Sequence, residues 1–345
     1  MIQFTCDYTR TAVPEVLEAL SNAKSQYTGY GEDEITADAA RMIRNLTGVE
    51  NVAVHFLLGG TQTNSTLIAA GLRTHQSVVA ASSGHINVHE TGAIEASGHK
   101  VTVIQSEDGK LTADAVDECL SMHENDPNFE HIVQPAMVYI SNPTELGTLY
   151  CLSELTALAE VCRRHEVLLY MDGARLGYGL AAEDNDLTLN DITRLTDAYY
   201  LGGTKCGTLF GEALVIKSPM LKRDFRYIMK QRGALLAKGF LLGLQFRTMF
   251  AGGSLEDTLY YRYARHAISQ ARKIRKALKE CGVPLLLDSP TNQLFPLFPE
   301  DKLKRLQENF VFDVWSPTLV RIATDWSTHT EDTEKLIETL RSIYL

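Results

Sequence analysis

Four short stretches of this 345-residue chain carry side chains whose types and spacing suit chemistry. In Leu57-Leu58-Gly59-Gly60-Thr61-Gln62-Thr63-Asn64, two glycines follow an apolar run and polar residues open the next segment. Free backbone N–H groups at such a turn make an anion nest, a helix dipole favours phosphate there, and Thr61 adds a hydroxyl. The alternative is a plain strand–helix turn; neither a Walker loop nor G-x-G-x-x-G is present. In Val167-Leu168-Leu169-Tyr170-Met171-Asp172-Gly173-Ala174-Arg175, an acid closes an apolar run, where open α/β sheets bind ligands. A carboxylate there suffers desolvation unless paired. Either Arg175 pairs with it, or it faces a cationic heterocycle and leaves Arg175 for another anion.

In Tyr199-Tyr200-Leu201-Gly202-Gly203-Thr204-Lys205-Cys206-Gly207, a lysine leaves a third run amid small residues. Partial burial lowers an ammonium pKa and frees the amine for a Schiff base, whereas a solvated loop lysine would do nothing. In His85-Ile86-Asn87-Val88-His89-Glu90-Thr91-Gly92, two histidines lie beside a glutamate. The order differs from H-E-x-x-H and no third ligand is visible, so no metal is expected. A flat imidazole stacked on an aromatic ligand, or a hydrogen-bonded buried histidine, is the better reading.

For these residues to meet, strands and helices must alternate. β-rich runs occur at 52–58, 77–80, 101–104, 137–140, 167–171, 198–201 and 213–216. Several are apolar on both alternations, as in strands covered on both faces. Helical spacing marks 63–72, 113–122 and 153–165, with Ser153 placed to cap the last. The alternation predicts a mostly parallel, doubly wound sheet with helices on both faces. After about residue 220 the pattern changes. A long helix at 225–250 is followed by another at 259–281, ended by Gly282 and Pro284. Short strands follow at 283–287, 293–297 and 319–323, then a helix after Thr328 with Glu331 three residues on. The expected division is a large α/β domain over 1–245, N-terminal segment included, and a small α+β domain over 246–345.

Composition narrows the function classes. Basic residues number 33 and acidic ones 43, a net charge of −10 that disfavours a broad nucleic-acid surface. The longest apolar runs, such as Gly239-Phe240-Leu241-Leu242-Gly243-Leu244, fall far short of a ~20-residue membrane span. The first residues show no basic region followed by an apolar run, so no secretory signal is expected. The six cysteines form no C-x-x-C pair and read as reduced thiols of a cytoplasmic protein.

A phosphate nest, a carboxylate for a pyridinium and a Schiff-base lysine, each at a strand end, are together the parts that hold pyridoxal 5′-phosphate (PLP). On these residues the chain resembles the L-threonine aldolase / β-eliminating lyase family of fold-type I PLP enzymes. The resemblance also takes in Tyr30-Gly31-Glu32-Asp33-Glu34, Lys230-Gln231-Arg232-Gly233 and Arg321-Ile322-Ala323-Thr324. It implies the fold-type I PLP-dependent transferase-like fold and a set of roles. Lys205 would form the internal aldimine, Asp172 would pair with the pyridine nitrogen, and His85 would stack on the ring. Gly60, Thr61 and Gln62 would cradle the phosphate. Arg175 and Arg321 would hold the substrate carboxylate, with Tyr30 also in the substrate shell. Lys230 would serve the phosphate of a neighbouring subunit, in a homodimer or a tetramer built from dimers.

Two positions depart from the family pattern. Thr144 falls where a histidine that handles the substrate hydroxyl is expected, and Cys6 replaces a serine that helps bind the carboxylate. The hydroxyl base is then His85, Glu90 through a water, or a water held by Thr144. The implied activity is retro-aldol cleavage of the Cα–Cβ bond of a β-hydroxy amino acid, threonine or allo-threonine giving glycine and acetaldehyde. β-Elimination, transamination and a non-catalytic PLP or amino-acid binder are the alternatives.

Overall fold

The computed structural model describes residues 1–24 and 26–345. Eleven strands occur among the described residues: β1 (Ile2–Phe4), β2 (Ala53–Leu57), β3 (Gln76–Ala81), β4 (Lys100–Ile104), β5 (Gln134–Ser141), β6 (Leu168–Asp172), β7 (Ala198–Gly202), β8 (Glu212–Ile216), β9 (Gln293–Leu294), β10 (Phe310–Val314) and β11 (Val320–Ala323). Seven form one sheet in the order β2-β8-β7-β6-β5-β3-β4. Among the described strands of this sheet only β8 runs against its neighbours; the other pairings are parallel. The expected mostly parallel sheet is therefore present, and every strand expected for it lies within a few residues of its observed place.

Strand periodicity explains the layers, because successive side chains point to opposite faces. On β6, Leu169 and Met171 pack into one core with the helices Glu34–Thr47, Leu152–Arg164 and Phe240–Met249. Leu168 and Tyr170 pack into a second core with the helices Gly60–Gly71 and Phe225–Gln231. Both faces are covered, which is why β6 and β7 are buried throughout. The smaller sheet has the order β1-β10-β11-β9 and a core of its own that includes Phe4, Leu294, Phe312 and Ile322.

The structure revises several sequence expectations. The long helix at 225–250 is two helices, Phe225–Gln231 and Phe240–Met249, with Gly233 at φ +68 between them. Cys151, not Ser153, caps Leu152–Arg164, with Glu154 completing the box. The last helix is Thr330–Tyr344 with His329 at its cap; the Thr328 hydroxyl instead engages Asp325. The run 283–287 contributes a single bridge, Leu285 to Pro296, flanked by the bonds Leu286 N–H to the Phe295 carbonyl and Leu297 N–H to the Pro284 carbonyl, and forms no longer strand. The first strand joins the small sheet by pairing with β10, while Ala12, Val13 and Val16 of the same N-terminal segment pack in the core of the large sheet. Position 245 lies inside Phe240–Met249, and the helix Leu259–Glu280 spans both cores, with Ala264 and Ala267 in one and Ile274 and Leu278 in the other. No helix among the described residues is long and apolar enough to cross a membrane.

Candidate active site

The carboxyl ends of β5, β6 and β7 and the start of the helix Gly60–Gly71 converge on a cavity of about 320 Å³. Asp172 is the last residue of β6 and buried. In register beside it stands Ser141 on β5, with Tyr139 and Tyr170 two residues back on the same face, and Tyr200 reaches it from β7. The Tyr200 hydroxyl donates to Asp172 Oδ1 (2.6 Å), as does the Ala174 N–H (3.0 Å). The Tyr139 hydroxyl (2.6 Å) and Asn64 Nδ2 (3.0 Å) donate to Oδ2. Burial pushes the Asp172 carboxyl up. His85 and these hydrogen bonds outweigh it, leaving the group below its ordinary pKa and ionised. Burial also raises both tyrosines, so they remain donors to it.

Lys205 faces the same cavity, its ammonium 6.0 Å from the centre of the Tyr8 ring. Burial lowers its pKa and nearby Arg175 adds to this, while Asp7, Asp172 and Glu212 oppose it. The turn that carries it is fixed by Glu212, whose carboxylate accepts from Gly203 N–H (3.0 Å) and Thr204 Oγ1 (2.8 Å). Burial raises the Glu212 pKa well above the usual carboxylate range, and the Thr204 and Gly203 hydrogen bonds and the Lys205 charge offset part of that rise. Two glycines permit the convergence: a Cβ on Gly173 would collide with the Tyr200 carbonyl oxygen, and one on Gly202 with the carbonyl of Ala174.

At the opposite wall the helix Gly60–Gly71 begins with Gly59 as its cap. The first N–H groups of a helix have no intrahelical partner, so those of Gly60, Thr61 and Gln62 are free to receive an anion. Gly60 and Thr61 line the cavity. The Gln62 side chain does not: its Oε1 accepts from Leu58 N–H and its Nε2 donates to the Arg232 carbonyl, so its contribution is limited to the backbone.

His85 opens the short helix His85–Val88 and lines the cavity. Its Nδ1 lies 2.8 Å from Glu90 Oε1, which also accepts from Asn64 Nδ2 (2.7 Å). One buried network thus joins His85, Glu90, Asn64 and Asp172. His89, four residues on, is exposed. Among the described residues no group of three or more His, Cys, Asp or Glu could hold a metal ion.

The expected substrate shell is rearranged. Arg175 lines the cavity but does not pair with Asp172. Its Nε and Nη2 donate to the two oxygens of buried Asp7 (2.7 and 3.0 Å), and Asn292 Nδ2 adds a third bond to Asp7 (2.9 Å). Cys6 does not reach this cavity; Tyr8 lines it, and Asp7 acts on it through Arg175. Thr144 is fully buried and outside the cavity wall, its hydroxyl 2.6 Å from that of Thr148 as the turn closes on itself. Its sequence neighbour Glu145 lines the cavity. Arg321 is also absent from the wall: it donates to Asp313 (2.9 Å) and to Gln293 Oε1 (3.1 Å). Tyr30 and Lys230 lie together elsewhere, the Lys230 ammonium 4.8 Å from the Tyr30 ring centre, beside a second, more open cavity that Tyr227 also lines.

Asp7, Asn64, Tyr139, Tyr200, Glu145 and Glu212 escaped the sequence reading as site residues. The tyrosines carried a signal: Tyr139 lies two residues before Ser141, the β5 partner of Asp172, and Tyr200 lies near the end of the run that leads to Lys205. Asn64 closes the quoted helix-start motif and Glu145 adjoins Thr144, whereas Asp7 and Glu212 carried no signal, because distant elements bring them in.

The residues present fit PLP: an amine of lowered pKa, an ionised carboxylate and a helix start rich in free N–H groups surround one cavity. The description "Beta-eliminating lyase" belongs to the family model that matches residues 3–322. A low specificity L-threonine aldolase of Pseudomonas aeruginosa is 30% identical over 309 residues, 88% of this chain and 86% of that protein. A threonine aldolase structure from Leishmania major is 39% identical with a TM-score of 0.94, covering 100% of both chains. Aspartate aminotransferase of Thermus thermophilus, 15% identical with a TM-score of 0.72 over 99% of this chain and 91% of that one, shares the fold. With the fold of the fold-type I PLP enzymes, the chain belongs to the beta-eliminating lyase family.

Proposed function

We propose that this protein is a PLP-dependent carbon–carbon lyase that cleaves threonine or allo-threonine to glycine and acetaldehyde. The observation that carries the reading is the placement of Lys205 and ionised Asp172 in one cavity with the free helix start at Gly60 and Thr61. The curated and structural relatives named for threonine aldolase support the choice of substrate. Bound PLP supplies an electron sink for the pair released at the amino acid's Cα.

The chain's own residues set the conditions. Lys205 is assigned to hold the cofactor covalently, and the burial and the Arg175 charge that lower its pKa favour the neutral, nucleophilic amine. Asp172 holds negative charge where a pyridine nitrogen would need it, and its four hydrogen bonds keep it from taking that proton away. Gly60, Thr61 and the Gln62 N–H are assigned to the phosphate, and His85 to the ring face. Asp7 aligns Arg175 for a substrate carboxylate; a fork held on two nitrogens still has N–H groups to offer. Arg321, on the small sheet, is assigned to the same carboxylate, which requires it to exchange Asp313 for the substrate. This makes the large sheet the cofactor-holding unit and the small sheet a substrate-holding one.

We further assign Tyr30 and Lys230 to the site of a neighbouring subunit in a homodimer or dimer of dimers. Their position outside the Lys205 cavity, on an open surface with Tyr227 79% exposed, supports this. The test is direct. Purified protein supplied with PLP should yield acetaldehyde and glycine from L-threonine and L-allo-threonine. Borohydride labelling should mark Lys205, and Lys205→Ala should abolish both label and turnover. The family description favours β-elimination as the second reading; pyruvate from β-substituted alanines, with no aldehyde from threonine, would select it.

A further inference from the structure

We propose that Glu145 is the acid–base group that takes the β-hydroxyl proton during Cα–Cβ cleavage. The inference rests on the threonine-cleaving reading and fills the role for which position 144 offers no histidine.

Four candidates for that role can be compared by position. Thr144 is fully buried, outside the cavity wall, with its hydroxyl engaged by Thr148. Glu90 has an Oε2 without a partner among the described residues, but it is buried outside the wall and its Oε1 serves His85 and Asn64. His85 lines the cavity, but Glu90 holds its Nδ1 and its ring face is the one assigned to the cofactor ring, so its side chain already has a role. Glu145 lines the cavity with Lys205, Asp172 and Arg175, and its two oxygens have different fates. Oε1 is fixed by the His85 N–H (2.9 Å) and the Ser141 hydroxyl (2.6 Å). Oε2 is buried and has no hydrogen-bond partner among the described residues. A buried carboxylate oxygen left unpaired is costly, and the cost persists where a bound group completes it. A carboxyl anchored by one oxygen and open at the other is oriented for proton transfer.

The step balances without a co-reactant. The hydroxyl proton passes to Glu145, the O–H pair becomes the second bond of the aldehyde carbonyl, and the Cα–Cβ bond breaks. Its electron pair stays on the glycine fragment. The proton taken from oxygen equals the one that Cα must regain, so threonine is accounted for as glycine plus acetaldehyde. An ordinary glutamate is a weak base at neutral pH. Burial raises Glu145, the Ser141 hydrogen bond offsets part of this, Asp172 raises it further and His85 lowers it. Tyr139, Tyr150 and Arg175 are the other titratable groups close enough to feel its charge.

The test compares cleavage with a reaction that has no hydroxyl. Wild type, Glu145→Gln, Glu145→Asp and His85→Asn are loaded with PLP and checked by absorbance and melting. Each is assayed for acetaldehyde from threonine and for exchange of the glycine α-hydrogen in D2O. Glu145→Gln should lose about 10²-fold or more in kcat for cleavage, keep glycine exchange within about fivefold, and lose the acidic limb of the kcat–pH profile. Glu145→Asp, which keeps a carboxylate, should recover part of the cleavage. Without PLP, wild-type Tm should fall relative to Glu145→Gln as pH rises, because a raised carboxyl pKa favours the native state only while protonated. Cleavage by Glu145→Gln within about threefold of wild type, or equal loss of cleavage and exchange, overturns the proposal. So does an unchanged acidic limb in Glu145→Asp should Glu145→Gln fail to fold. Loss of cleavage alone in His85→Asn, with Glu145→Gln active, would assign the proton to His85. No aldehyde from the wild type would overturn the functional reading together with this one.

Discussion

Replacing Asp7 by asparagine tests the element that the site borrows from farthest along the chain. Asp7 is buried and accepts two hydrogen bonds from Arg175 and one from Asn292. Burial alone would raise its pKa; Arg175, Lys205 and the hydrogen bonds bring it down to about 2 from an ordinary 3.8. A shift of that size corresponds to about 2–3 kcal/mol of stability at neutral pH. Its sign is set by the depressed value: the contribution is complete above about pH 4 and is lost as pH falls toward 2. Asparagine cannot carry the charge, and it leaves the Arg175 guanidinium buried without a counter-ion, for which ~3–5 kcal/mol is the usual cost. Since the side-chain amide of the Asp7→Asn variant still offers one acceptor, about 3 kcal/mol is expected. Urea unfolding of wild type, Asp7→Asn, Arg175→Gln and the double variant, each without PLP, measures it. The double variant should regain part of the loss, because no charge remains unpaired. In acid the Asp7→Asn curve should converge on that of the wild type as the wild type loses its own contribution. A neutral-pH difference below about 0.5 kcal/mol, or no recovery in the double variant, would refute the argument that this pair is a coupled buried unit.

Other expectations follow from the same geometry. Gly173→Ala should yield protein that neither binds PLP nor turns over, since its Cβ would drive apart the ends of β6 and β7; absorbance with added PLP reads this. Asp172→Asn should fold and bind PLP but lose about 10²-fold or more in turnover, because a neutral amide no longer stabilises a protonated ring nitrogen. Arg321→Ala should raise KM for the amino acid while leaving PLP absorbance intact; loss of the cofactor would point to a structural role through Asp313.

The contrast between Asp172 and Arg175 shows how much of the site was legible. Three residues apart in one motif, they are equally visible in the sequence. The position of Asp172 follows from local periodicity: an apolar strand ends, and its last residue must lie at the ligand-binding edge of the sheet. The same reasoning placed Lys205 and the start of the helix at Gly60. Arg175 begins the next turn, and its partner is Asp7, 168 positions away, brought in by the pairing of Ile2–Phe4 with Phe310–Val314. No spacing rule links such residues. Thr144 and Glu145 differ by one position, yet the turn stabilised by Thr148 hides the first and presents the second.

The amino-acid order alone thus determined the alternation of strands and helices, the two-sided burial of the main sheet and the three strand-end groups assigned to the cofactor. Each of these depends on interactions within a few residues or on a regular period. Packing decided which arginine is already paired, which side of the 141–147 turn meets the cavity, and that the first strand belongs with the last ones. Those outcomes depend on the relative placement of elements far apart in the chain, where the free energy of a buried ion pair or a filled core is settled only once the chain has closed on itself.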